Sequence, residues 1–254
     1  MTEGLKRFQY TFFGKVHPER CLVSLPELRI KIRTTEGEIN GELVFYISLS
    51  QIVALFSCDK QVHDFYTLKN SVEDSIRTAV DALGYTIACG YDIEIIEMID
   101  SLGNTPTVFG VGIPAIKNSA KEAGVTFPNI MDVFQDARGK YLMRCLADLR
   151  EAIRVPTNTG FFCYRGIESL RQFFMHERLA KDDKKSWELL RTELDVDRSD
   201  LDEVKILADP LRHGDIVPIS DAERAKVLKL TWGIVNRFVK YANAGYKKRA
   251  RGHI

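Results

Sequence analysis

The chain has 254 residues, 45% hydrophobic and 28% charged, a composition that fits an ordinary globular protein of one large or two modest domains. Lys plus Arg total 36 and Asp plus Glu 35, so the net charge of +1 excludes whole-molecule attraction to nucleic acid or a membrane and leaves only local patches. The five cysteines are scattered without a CxxC pair, which excludes a disulfide framework and a zinc knuckle and reads as buried thiols in a reducing cytoplasm.

Gln9 to Val16 carries a weak strand pattern. Leu28-Arg29-Ile30-Lys31-Ile32-Arg33 alternates apolar and basic residues strictly, and a period of two means one buried and one wet face. Pro26 stands at its start, where a missing amide donor does least harm. Glu42 to Ser48 is a second apolar run rich in β formers, and Ser50 to Cys58 reads as a strand or a short helix. Phe65, Leu68, Val72, Ile76, Val80 and Leu83 recur every three to four residues, predicting an amphipathic helix that Gly84 stops. Tyr91 to Ile95 alternates again. Residues 1–103 therefore predict a small α+β domain, a sheet with one helix laid on it. Gly110, Gly112, Pro106, Pro114 and Pro128 mark residues 104–131 as a connector, with a short helix over Ala115 to Ala123.

From Asp132 the period is helical. Phe134, Ala137, Tyr141, Cys145, Leu149 and Ile153 form one stripe, ended by Pro156. A second helix runs from Asn158 to Glu177, a third surrounds Trp187, Leu190 and Leu194, and a fourth carries Leu201, Val204 and Leu207. The last opens with Ser220-Asp221-Ala222-Glu223, a capping-box pattern. Residues 132–254 thus predict a bundle of about five helices with a basic tail, KKRARGHI. No run of about 18 apolar residues predicts a membrane span, and the residues MTEGLKRFQY lack a signal-peptide core.

Most motifs offer little chemistry. Gly110-Val111-Gly112-Ile113-Pro114-Ala115 matches GxGxxA, but a dinucleotide site needs a strand before and a strand, helix and acid after it; a plain Gly/Pro loop is the expectation. The five histidines stand at no metal-ligand spacing, so neither metal nor cofactor is expected. Cys163 lies on the apolar stripe of its helix and is expected in the core. Two segments carry more. In Phe161-Phe162-Cys163-Tyr164-Arg165-Gly166-Ile167-Glu168-Ser169-Leu170-Arg171, the side chains of Tyr164, Glu168 and Arg171 share a helix face, with Arg165 beside them. This is either a surface Glu168–Arg171 ion pair or a polar patch facing another helix. In Asp209-Pro210-Leu211-Arg212-His213-Gly214, a proline costing ~3 kcal/mol inside a helix is expected to break the fourth helix. Asp209 and Pro210 would then be N-cap and first helical residue, and Gly214 would close the turn at positive φ. Arg212 beside His213 suits a phosphate, unless Arg212 pairs with Glu168 or Asp215 and His213 caps carbonyls.

These two segments, CYRGIESLR and ADPLRHGD ahead of the last helix, resemble the paired signature helices of HEPN domains, the nucleotide-binding helical bundles of prokaryotes and eukaryotes. The resemblance covers about residues 132 to 246. It implies an up-and-down bundle, frequently a homodimer, and in many members a metal-independent ribonuclease of toxin–antitoxin or anti-phage defence. His213 matches the family histidine and Glu168 the acidic or polar group of the earlier helix. Ala208, five positions before His213, stands where the family has arginine. The incomplete motif and near-zero charge favour a binding or scaffolding protein recognising RNA, a nucleotide or, through the N-terminal domain, a protein partner. The alternative is a ribonuclease with His213 as general base, Arg212 stabilising the developing phosphorane charge, Glu168 orienting one of them, and Asp209, Tyr164, Arg165 and Arg171 binding. A metabolic enzyme with a nucleotide site near Gly110 is the remaining reading.

Overall fold

The computed structural model describes residues 7–34, 39–103, 106–110, 112–215, 217 and 219–247. The fold is α+β, and the chain divides into two compact units, residues 1–111 and 112–254, each with its own apolar core. In the first unit six strands, β1 (Phe8–His17), β2 (Leu25–Arg33), β3 (Asn40–Ser48), β4 (Gln51–Cys58), β5 (Asp92–Asp100) and β6 (Pro106–Val108), form one antiparallel sheet in the order β2-β3-β4-β1-β5-β6. The alternation read in Leu28 to Arg33 is physical: Ile32 is buried and Leu28 and Ile30 half-buried, while Arg29, Lys31 and Arg33 are exposed. The other strands alternate too, with Tyr10, Phe12 and Val16 of β1, Leu43, Phe45 and Ile47 of β3, and Ile52, Ala54 and Phe56 of β4 buried. Gln51–Cys58 is a strand, resolving the open choice there.

Helix α1 (Phe65–Ile87) packs its Leu68, Val72, Ile76 and Val80 stripe into this core. Asp64 caps it, accepting a hydrogen bond from the Thr67 amide at 2.9 Å. Gly84 does not stop the helix, contrary to expectation; the chain leaves at Ala88, with φ 53°. Gly84 instead admits the returning chain, because a Cβ there would lie 2.3 Å from the Cys89 carbonyl oxygen. The buried Glu73 carboxylate is paired with Lys69 and Arg77, and Arg77 also bonds Asp92 (2.5 Å) and the Ile93 carbonyl (3.2 Å), which pins α1 to β5.

The expected connector is structured. Pro106–Val108 adds the edge strand β6; a 3-10 turn (Pro114–Ile116) and α2 (Ser119–Glu122) replace the single short helix, and α3 (Phe127–Val133) begins at a Thr126–Asn129 capping box. The helix expected from Asp132 is interrupted at 137–139 by a 3-10 turn. Gly139 sits so close to the Val133 carbonyl that a Cβ would clash at 2.5 Å, so the chain bends before α4 (Lys140–Arg154). Next come α5 (Thr159–His176), α6 (Asp183–Leu194), α7 (Arg198–Arg212) and α8 (Asp221–Asn243). The predicted Ser220–Glu223 capping box opens α8.

Helix α5 is the hub of the second unit, touching α4, α6, α7 and α8. Its glycines set two close approaches. Gly166 lies against Cys145 and Leu149 of α4, and a Cβ on Gly160 would meet the Leu207 backbone oxygen of α7 at 2.8 Å. The buried Arg224 of α8 donates to the Ala152 and Ile153 carbonyls (3.4 and 2.6 Å) and to the Thr159 hydroxyl (3.1 Å), so a cation closes the negative end of α4. Among the described residues no helix is long and apolar enough to cross a membrane. The basic tail from residue 248, including His253, lies outside the described residues, as does Val111 of the Gly110 loop.

Candidate functional site

Three side chains of α5 have quite different fates. Arg165 turns to α4, where its Nε donates to the buried Asp148 carboxylate at 2.8 Å and its guanidinium lies about 5 Å from the Phe161 and Phe162 rings. Arg171 is buried and turns to α6, donating to Asp183 (2.7 Å) and the Ser186 hydroxyl (3.1 Å). Of the two readings of this face, the structure has the patch packed on another helix; Arg171 pairs with Asp183 and not with Glu168. Tyr164 stacks on Trp187 of α6, ring centroids 5.8 Å apart at 25°. Each ring of this pair has its own guanidinium: Arg171 at 5.3 Å from Trp187 and Arg212 at 5.7 Å from Tyr164.

The Asp209–Gly214 segment corrects one expectation. Helix α7 continues past Pro210 to Arg212, so Asp209 is not an N-cap. The missing Pro210 amide orphans the Ile206 carbonyl, but Ile206 is exposed, and water can take that bond. Only two helical residues follow the proline. The end is a Schellman motif: Gly214 (φ 88°) donates to the Leu211 carbonyl at 3.2 Å and the Asp215 amide to the Pro210 carbonyl at 3.0 Å. Gly214 therefore has the left-handed role expected of it. Arg212 and His213 are exposed at this end. Arg212 pairs loosely with Asp209 (3.6 Å), which also faces Lys205 (3.8 Å).

Beside this helix end lies a groove of about 450 Å³ between α5, α6 and α7, lined by Tyr164, Lys184, Trp187, Glu188, Arg191, Arg198, Leu201, Asp202 and Lys205. Its cations follow a rule. Lys184, Arg191, Arg198, Lys205 and Arg212 stand seven residues apart along the sequence. Seven residues is nearly two helical turns, so Lys184 and Arg191 share one face of α6, and Arg198, Lys205 and Arg212 one face of α7. Glu188, Asp202 and Asp209 are interspersed. Arg198–Asp202 is 3.5 Å and Lys205–Asp209 3.8 Å, and the side chains are 41–78% exposed, so these are weak pairs. Among the described residues, Lys184 and Arg191 have no ion-pair partner.

Tyr164 is where most of the residues singled out from sequence converge. Burial chiefly, and then Glu168, push its phenol above its ordinary range, with Arg212 opposing, Asp209 adding and Arg171 opposing. Thus Tyr164, Glu168, Asp209, Arg171 and Arg212 share one neighbourhood, whereas Arg165 serves Asp148. His213 adjoins Arg212 in sequence, and no side-chain hydrogen bond to its imidazole is made among the described residues. Cys163 is fully buried and its thiol is pushed up to about 12 by burial, unfit as a nucleophile at neutral pH. Among the described residues no group of His, Cys, Asp and Glu could hold a metal ion. The reading from sequence placed Trp187 only on the third helix and missed the cations of α6 and α7, although their spacing of seven residues was a readable signal.

Residues 10–109 match the family model described as a domain of unknown function (DUF8168), N-terminal domain, and residues 127–243 match its C-terminal domain. The two matches follow the chain order and fall within the two structural units. No curated protein and no solved structure matches the chain.

Proposed function

We propose that the chain is a binding protein whose helical unit holds a phosphate-bearing ligand, an RNA or a nucleotide, along the basic face of α6 and α7, and that this unit is HEPN-like without being a nuclease. The observation that carries the reading is the series spaced by seven residues, of which Lys184, Arg191, Arg198 and Lys205 line one groove with Tyr164 and Trp187, and Arg212 lies over the Tyr164 ring. Four cations and two carboxylates line it, in a protein whose overall charge is almost balanced. Phosphate oxygens can displace Asp202 and Asp209 from their loose pairs at small cost. Binding is favoured over catalysis because a general base needs an orienting partner, and the exposed His213 imidazole has none among the described residues.

Binding of a short single-stranded RNA and of ATP, followed by Trp187 fluorescence in a W232F background, tests this. The R198E/K205E double variant is expected to weaken binding at least ten-fold. The RNA affinity is expected to fall with salt at a log–log slope of about −2 for three phosphates. H213A is expected to bind normally. Multi-turnover RNA cleavage that H213A abolishes would replace this reading with the ribonuclease.

A further inference from the structure

A second concavity, independent of the basic groove, lies on another face of the helical unit. Helices α4 and α8 both pack on α5 and leave between them a cleft of about 340 Å³, within the size range of small-ligand sites. Leu146, Leu149 and Ile153 of α4 face Trp232, Val235 and Val239 of α8, at successive turns of each helix, and Ala120 and Ile130 close one side. The lining is almost wholly apolar. Its polar members are arranged, not scattered. Asn236 is 93% buried and fixed by its amide on the Ser119 carbonyl and hydroxyl (3.2 and 3.1 Å), while its side-chain oxygen has no hydrogen-bond partner among the described residues. Arg150 and Arg154 line the cleft one turn apart, both reaching Glu151 (3.0 and 3.6 Å). Arg150 commits only Nε to that bond, and its side chain is 64% exposed.

We infer that this cleft binds a small amphiphilic carboxylate of the medium-chain fatty-acid type, apolar body against Leu146, Ile153 and Trp232, carboxylate on Arg150 and Arg154. An apolar cleft with guanidiniums on its border complements such a ligand in both halves: methylenes leave water, and the head stays partly hydrated on a bidentate cation. An apolar helix of a partner would need a groove open along its whole length and would gain nothing from two arginines.

The protein offers its own reporter, because Trp232 lines this cleft and Trp187 the other. In W187F, titration with hexanoate, heptanoate and octanoate is expected to give a saturable Trp232 change. Affinity should tighten about four-fold per added methylene until the cleft is full. Calorimetry on the unmodified chain checks the same series. R150E/R154E, at two surface positions, is expected to weaken octanoate at least ten-fold and leave 1-octanol unchanged. Absence of saturable binding, octanol binding as tightly as octanoate, or indifference to the charge reversal would each overturn the inference. So would sedimentation showing a dimer that I153D dissociates and octanoate does not, since a second copy would then fill the cleft.

Discussion

Tyr164 and its two arginine neighbours in sequence and space show how alike residues divide between architecture and surface chemistry. Arg165 neutralises Asp148, whose side chain is 2% exposed, whereas Arg212 rests over an aromatic ring at the exposed end of α7 with one carboxylate at 3.6 Å. Removing Arg165 leaves the buried Asp148 with only the exposed Arg144 at 3.9 Å, so R165A is expected to cost about 3 kcal/mol in urea unfolding, while R212A should change stability by less than about 0.5 kcal/mol. Near-equal losses would put both arginines in one class and remove Arg212 from the proposed ligand face. Tyr241 offers a different residue-scale test. It sits among Phe173, Phe174, Phe238 and Tyr246, its hydroxyl has no hydrogen-bond partner among the described residues, and burial pushes its phenol up to about 12. The folded protein thus keeps a proton that the unfolded phenol releases near pH 10, so this contribution is intact below about pH 10 and is lost as pH rises toward 12. Y241F is expected to flatten that alkaline fall in stability and, at neutral pH, to be neutral or stabilising by up to about 1 kcal/mol. A large loss at neutral pH would show that the hydroxyl has a partner.

At the scale of elements, several close approaches rest on glycine, and α7 carries a proline in its last turn. A methyl at Gly160 would press on the Leu207 backbone, which cannot move without α7, so G160A is expected to cost about 1–3 kcal/mol and to weaken ligand binding by shifting α7. P210A should do the reverse. It supplies the amide that the Ile206 carbonyl lacks, and a gain of about 1–2 kcal/mol is expected after the added freedom of the unfolded chain is set against the propensity gain. Measured destabilisation by P210A would mean that proline holds the Schellman end in place. These two positions also mark what could be read from the sequence. Strict alternation in β2 and β5 and a helical period in α1 and α4–α8 announced those elements, because burial of one face writes itself into the pattern, whereas β1 and β4 carried only weak strand patterns and β3 an apolar run. Glycine and proline were misread at residues 84 and 210, where the sequence signal for a break was overruled by tertiary packing and by solvent access to an orphan carbonyl. The clustering of Tyr164, Glu168 and Asp209 with Arg212 depends on α5 and α7 lying side by side, which no local pattern encodes.

On the scale of the molecule, the two units have separate apolar cores, one built on the sheet and α1, the other around α5. The basic groove and the apolar cleft are both lined wholly by residues of the second unit. Residues 112–254 expressed alone are therefore expected to fold cooperatively and to retain binding in the groove; a fragment that folds without binding would assign part of the site to the first unit. Charge is distributed on the same principle, a nearly neutral whole with Lys184, Arg191, Arg198 and Lys205 lining one groove of the helical unit. The most direct test of that concentration as a ligand face is the Trp187 fluorescence titration of the W232F chain with single-stranded RNA and with ATP. Saturable binding, weakened by salt and lost at least ten-fold in R198E/K205E, is the predicted result. Binding indifferent to both salt and charge reversal, or no binding of either phosphate ligand, would contradict it.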